Sequence, residues 1–193
     1  MINVTKKDIR KIPTITIHIG GIHPSNMPVR ITTVLGSCIS ACLHDPSTRI
    51  GGMNRFLLPG EPDSLDMSTR YGVNAMEMLI NEMMRIGANR LRLKAKVFGG
   101  ADIFRANHKL MMVGKRNIGF IREFLKAENI PIVIERVGGN EGLVVHYASN
   151  TFDVFVKPIP STHYRMQEEE KTNFYKKVSK ELADRESQNV TFF

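Results

Sequence analysis

Tryptophan is absent from this chain of 193 residues, cysteine occurs only twice, and aromatic residues make up just 7% of it. Each shortage excludes something. Cys38 and Cys42 cannot build a disulfide framework, and without a Cys-x-x-Cys pair or clustered histidines no metal cage is expected. In a reducing compartment each is therefore a small buried hydrophobe or a reactive thiol. No apolar run approaches the roughly 20 residues a membrane helix requires, so the chain is not expected to be membrane-embedded. Lys6, Lys7, Arg10 and Lys11 are not followed by the apolar stretch of a signal peptide, which leads us to expect a cytoplasmic protein. Basic residues outnumber acidic ones 27 to 19, a net charge of +8. They are scattered and not interleaved with stacking aromatics, so no nucleic-acid partner is expected, whereas an acidic protein surface suits the charge.

What is present is ordinary for a globular protein: 42% hydrophobic and 24% charged residues, enough chain for one domain with a substantial core. Residues 1–13 are polar and basic and form an arm ending at Pro13. Residues 14–160 carry the periodic segments of a domain, and residues 161–193 form a charged, helical tail. Thr14 to Ile19 alternates with period two, as a half-buried strand does. Gly20-Gly21 and Pro24-Ser25-Asn26 break the pattern. Val29 to Leu35 and Cys38 to Leu43 read as strands on either side of Gly36-Ser37. Asp45-Pro46-Ser47-Thr48 reads as a turn, with Ile50 to Leu58 the returning arm.

Residues 59–70 read as a loop. Met76, Leu79, Ile80, Met83 and Ile86 mark a helix from Val73 that stops at Gly87. Leu91 to Phe98 alternates as a strand. A second helix covers Asn117 to Glu128, with Ile118, Ile121, Phe124 and Leu125 inward. Ile132 to Val137, Leu143 to Tyr147 and Asp153 to Lys157 complete the strands. In the tail, Phe174, Val178 and Leu182 form a seam on a helix over Met166 to Arg185. Two main helices within a run of about eight strands, several in hairpins, specify an α+β fold rather than an alternating one.

Chemistry concentrates at Gly36-Ser37-Cys38. Glycine lets backbone approach an incoming carbonyl, and N–H groups at a strand break can face a developing oxyanion. A thiolate attacking an amide carbon also needs a source of protons for the departing ammonia. Cys42, four residues on along the same strand, reads as a core residue.

The run Thr32-Thr33-Val34-Leu35-Gly36-Ser37-Cys38-Ile39-Ser40-Ala41-Cys42-Leu43, then Gly51-Gly52-Met53-Asn54 and Leu58-Pro59, resembles the CheD family. So do Tyr71 to Glu77, Phe98-Gly99-Gly100-Ala101-Asp102, Gly114-Lys115-Arg116-Asn117 and Gly138-Gly139, in family order over about residues 28 to 158. The resemblance implies a layered α/β/β sandwich of mixed, largely antiparallel sheets, similar to toxin-type cysteine deamidases. It implies a chemoreceptor glutamine deamidase without a cofactor, acting on cytoplasmic receptor helices, and it admits a CheC-type phosphatase as a second partner. It implies Cys38 as nucleophile and Thr32 as orienting group. Gly36, Ser37, Asn54, Phe98, Gly99 and Gly100 are the implied oxyanion and substrate-binding set.

Gly142-Leu143 stands where the family usually shows Gly-Arg, Glu135-Arg136-Val137 lacks an Asp common before the Gly pair, and a third departure bears on the chemistry. The family's histidine, seventeen residues after the cysteine, falls here on Arg55. A guanidinium keeps its proton at physiological pH, so it cannot relay one, although its charge can stabilise a thiolate. Of the histidines, His44 is too far along its strand and fits a hairpin end. His18 and His146 can approach only through the fold, and His23, His108 and His163 read as surface residues. Two functions follow: an active deamidase in which Arg55 supports the thiolate, or a catalytically impaired relative that binds receptors or the phosphatase.

Overall fold

The computed structural model describes residues 12–58, 65–102, 108–159 and 164–188. Most of the N-terminal arm lies outside them, as does His163.

Among the described residues, nine strands form two sheets. The strands are β1 (Thr14–Thr16), β2 (Ile22–Ser25), β3 (Arg30–Leu35), β4 (Ile39–Asp45), β5 (Ile50–Asn54), β6 (Lys94–Gly99), β7 (Ile132–Val137), β8 (Leu143–Ala148) and β9 (Val154–Pro158). One sheet has four strands in the order β1-β3-β8-β9, the other five in the order β2-β5-β4-β6-β7. Pairing is mostly antiparallel; β1 with β3 and β6 with β7 run parallel. Three helices accompany them: α1 (Leu65–Arg85), α2 (His108–Ala127) and α3 (Tyr164–Gln188).

The burial patterns explain the layering. In β3 and β8 buried and half-buried residues alternate, because only one face of the four-stranded sheet meets the core. Every residue of β4 is buried, since that central strand is covered on both faces. One apolar cluster lies between the five-stranded sheet and the helices, built from Met76, Leu79, Ile80 and Met83 of α1 and Ile121 and Leu125 of α2. A second lies between the two sheets, joining Ile31, Leu35, Val145 and Tyr147 to Cys38, Cys42, Met53 and Phe98. The result is the expected α+β fold, an α/β/β sandwich of open, mixed sheets. Among the described residues, no helix is long and apolar enough to cross a membrane.

Several boundaries differ from the sequence reading. Residues Ile22–Ser25, read as a break, form edge strand β2 against β5, where Pro24 is tolerated because an edge strand leaves one side of its backbone unpaired. Strand β1 stops at Thr16, although Ile17 still donates to the Thr32 carbonyl. Helix α1 begins at Leu65 rather than Val73, its first turns being polar, and α2 begins at His108 rather than Asn117. Leu91 is 93% exposed in a short 3-10 turn, so β6 begins only at Lys94. The tail helix exists as α3, with Phe174 and Val178 buried against the inter-sheet cluster. The side chain of Leu182 lies outside the described residues.

Candidate active site

The bend between β3 and β4 carries Gly36, Ser37 and Cys38, and each of its three carbonyls has a donor. Ala101 N–H donates to Gly36 at 2.9 Å, and Gly100 N–H to Cys38 at 2.8 Å. The fully buried Asn117 of α2 donates from Nδ2 to Ser37 at 2.7 Å and accepts from Leu58 N–H at 2.9 Å. The bend is thereby tied to β6, to α2 and to the segment after β5.

Two glycines make the clamp possible. Gly99 has φ +108, and a Cβ there would stand 2.1 Å from the Cys38 carbonyl oxygen. A Cβ on Gly114 would come within 2.5 Å of the Gly100 carbonyl oxygen, so α2 could not close on the loop.

Cys38 is 3% exposed, and Arg55 is 2% exposed beside it. The Arg55 backbone is fixed from both sides, accepting from Gly20 N–H and donating to the Gly21 carbonyl. Its Nη2 lies 3.7 Å from Cys38 Sγ. The same guanidinium meets Glu170 of α3, with Nη1 3.1 Å from Oε1 and Nη2 3.0 Å from Oε2. Glu170 Oε1 also contacts His18 Nδ1 and the Ile19 N–H, each at 3.2 Å. Thiol, guanidinium and carboxylate thus form a continuous chain ending at the exposed His18.

The other expected residues divide. Gly36, Ser37, Gly99 and Gly100 belong to the clamp, and Phe98 packs in the inter-sheet cluster. Asn54 is fully buried: its Oδ1 accepts from Ala41 N–H, and its Nδ2 reaches the Ala75 carbonyl and Met76 Sδ. Its amide holds β4 to β5 and to α1. Thr32 sits on the face of β3 opposite the buried Ile31, Thr33 and Leu35. Its hydroxyl donates to the Val145 carbonyl and lies 3.0 Å from His146 Nδ1. Burial first, then Arg30 and Lys157, lowers the His146 pKa. His44 is buried, contacts the Ser149 carbonyl and stacks on Phe152. Burial pushes the Cys42 thiol well up, as befits a core residue.

Two components escaped the sequence reading. Asn117 closes a block read as a family motif, but nothing in that motif points to the Ser37 carbonyl. Glu170 lies in a polar helical stretch where charged residues are the rule, and it is 115 residues from Arg55.

Residues 57–158 match the family model described as CheD chemotactic sensory transduction. The chain belongs to the CheD family. A CheD protein of Xanthomonas euvesicatoria, called a probable chemoreceptor glutamine deamidase, is 47% identical over 133 residues, covering 69% of this chain and 67% of its own. Relatives of the same description occur in Stenotrophomonas maltophilia, at 45% identity over the same shares, and in Thiobacillus denitrificans, at 46% over 136 residues, 68% of this chain and 67% of that one. A solved structure, the Bacillus licheniformis hypothetical protein YfiH, aligns over 68% of this chain and 66% of that one with a TM-score of 0.41 and 13% identity, too distant to bear on the site. The CheD match begins after Cys38 and ends before α3.

Proposed function

We propose that this CheD-family chain is a chemoreceptor glutamine deamidase of bacterial chemotaxis, with Cys38 as its nucleophile. The observation that carries the reading is the Arg55 Nη2 placed 3.7 Å from Cys38 Sγ. The guanidinium sets a fixed positive charge beside Sγ, the atom that attacks. Sγ adds to the side-chain amide carbon of a receptor glutamine, and the N–H groups of the Gly36–Cys38 bend face the oxyanion that forms. Collapse breaks the C–N bond and releases ammonia, which takes its proton from water because Arg55 has none to give. Water then attacks the thioester, yielding glutamate and the free thiol. In this reading Thr32 contributes no reacting atom, and Asn54 and Phe98 support the bend without touching substrate. Receptor helices rich in carboxylates suit the net charge of +8.

Arg55 favours one alternative. Losing general acid–base help typically costs about 10² to 10⁴ in rate, enough to leave a protein that binds receptor helices or a CheC-type phosphatase with little turnover. Receptor cytoplasmic fragments incubated with wild type, Cys38→Ala and Arg55→His separate the two. Glutamine-to-glutamate conversion by wild type alone, or by wild type and Arg55→His alike, supports the enzyme. Conversion seen only with Arg55→His makes the natural chain a binding protein.

A further inference from the structure

Helix α3 lies beyond the family match and closes over the thiol. Phe174 and Val178 join the cluster that contains Cys38, and the half-buried Tyr175 packs against it. Phe174 meets the ring of Tyr71 edge-on at 5.6 Å, so the helix also bears on α1. The phenol of Tyr175 is pushed above its ordinary range, mainly by burial and secondly by Cys38. One turn before Phe174, Glu170 delivers its carboxylate to the guanidinium that faces Sγ.

We propose that α3 acts as a built-in product mimic, filling the cleft over Cys38 as a receptor helix would and holding Glu170 at the position of a converted glutamine. Deamidation of a helix-borne glutamine leaves a glutamate on a helix beside the thiol, and that is the arrangement α3 presents. A substrate helix then competes with α3, and Cys38 is reached only when α3 lifts. Release opens the thiol to substrate and removes the Glu170 carboxylate from the guanidinium that faces Sγ.

The docking is built to be reversible. The Tyr175 hydroxyl is buried without a hydrogen-bond partner among the described residues, which opposes closure. Glu170 keeps 26% side-chain exposure, so its ion pair is partly screened. The likeness of Glu170 to a reaction product rests on the deamidase reading; the occlusion of the thiol does not.

Thiol alkylation of the full chain tests the occlusion without requiring any enzymatic turnover, so a failure here is distinguishable from a failure of that reading. Iodoacetamide labels Cys38 and Cys42 in a mass-resolved time course, and Cys42, fully buried in β4, reports global unfolding. Wild type is expected to label slowly at both. Phe174→Ala and Glu170→Gln are expected to label Cys38 about tenfold faster, one decade of opening, with Cys42 still protected. Should Phe174→Ala also expose Cys42, that variant has unfolded, and Glu170→Gln, isosteric and at the helix surface, decides in its place. An unchanged Cys38 rate in a variant that keeps Cys42 protected overturns the proposal.

Discussion

Replacing Asn117 by alanine removes a side chain that links the nucleophile bend to α2 and to the segment after β5. Both of its polar ends are used: Nδ2 donates to Ser37 and Oδ1 accepts from Leu58, at 2.7 and 2.9 Å, in a fully buried position. Truncation leaves a buried carbonyl and a buried N–H without these partners, at about 1–3 kcal/mol each, so a total near 3 kcal/mol is expected. For a domain of this size that corresponds to a fall in Tm of about 6–12 °C.

Asn117→Asp sharpens the test. A carboxylate still accepts from Leu58 but turns a lone pair toward the Ser37 carbonyl, whereas a protonated carboxyl can donate there. Burial and the carbonyl both raise the pKa of such a group in the folded state. Between the unfolded and folded values the native state then binds more protons, so stability falls as pH rises through that window and recovers on acidification. Urea unfolding across pH 4 to 8 reads both effects. An Asn117→Ala chain within about 0.5 kcal/mol of wild type, the scatter of ordinary surface changes, refutes the clamp.

Two further perturbations follow. The buried Asp45 carboxylate accepts from Arg92 Nε and Nη2 and from the Asn89 and Ser47 N–H groups. Hydrogen bonding to Arg92 holds its pKa well below the usual carboxylate range. Its contribution is therefore complete above the unfolded value of about 3.9 and is lost as pH falls through the folded one. Asp45→Asn should cost about 2 kcal/mol at neutral pH, with the gap to wild type narrowing in urea titrations below pH 4; a gap independent of pH contradicts the assignment. Gly99→Ala, which sets a Cβ against the Cys38 carbonyl at φ +108, should lose more than about 2 kcal/mol and abolish conversion of receptor fragments. A stable, active variant would show that the Gly99–Cys38 approach is dispensable.

The parts of the fold legible in the sequence are those whose surroundings are simple. β3 and β8 each have one covered face, so alternation announces them, and the stripe of α1 from Met76 to Met83 names its own core side. β2 was not legible, because Pro24 reads as a breaker unless the strand is known to lie at an edge. Leu91 was misleading for the opposite reason: its place in the alternation belongs to a turn that exposes it. At the site, the family resemblance singled out Arg55, and the structure sets its guanidinium beside Cys38. The sequence could not identify Glu170 or the Asn117 clamp, which depend on distant segments meeting. Nor could it tell that the Thr32 hydroxyl meets the Val145 carbonyl and His146, since that follows from the pairing of β3 with β8.

The central claim is that Cys38 converts receptor glutamine to glutamate. Receptor cytoplasmic fragments are incubated with wild type, Cys38→Ala and Cys42→Ala, and peptide mass spectrometry follows individual glutamines over time. The account predicts site-specific conversion by wild type and by Cys42→Ala, and none above background with Cys38→Ala. Equal conversion by wild type and Cys38→Ala, or its loss with Cys42→Ala alone, would contradict it.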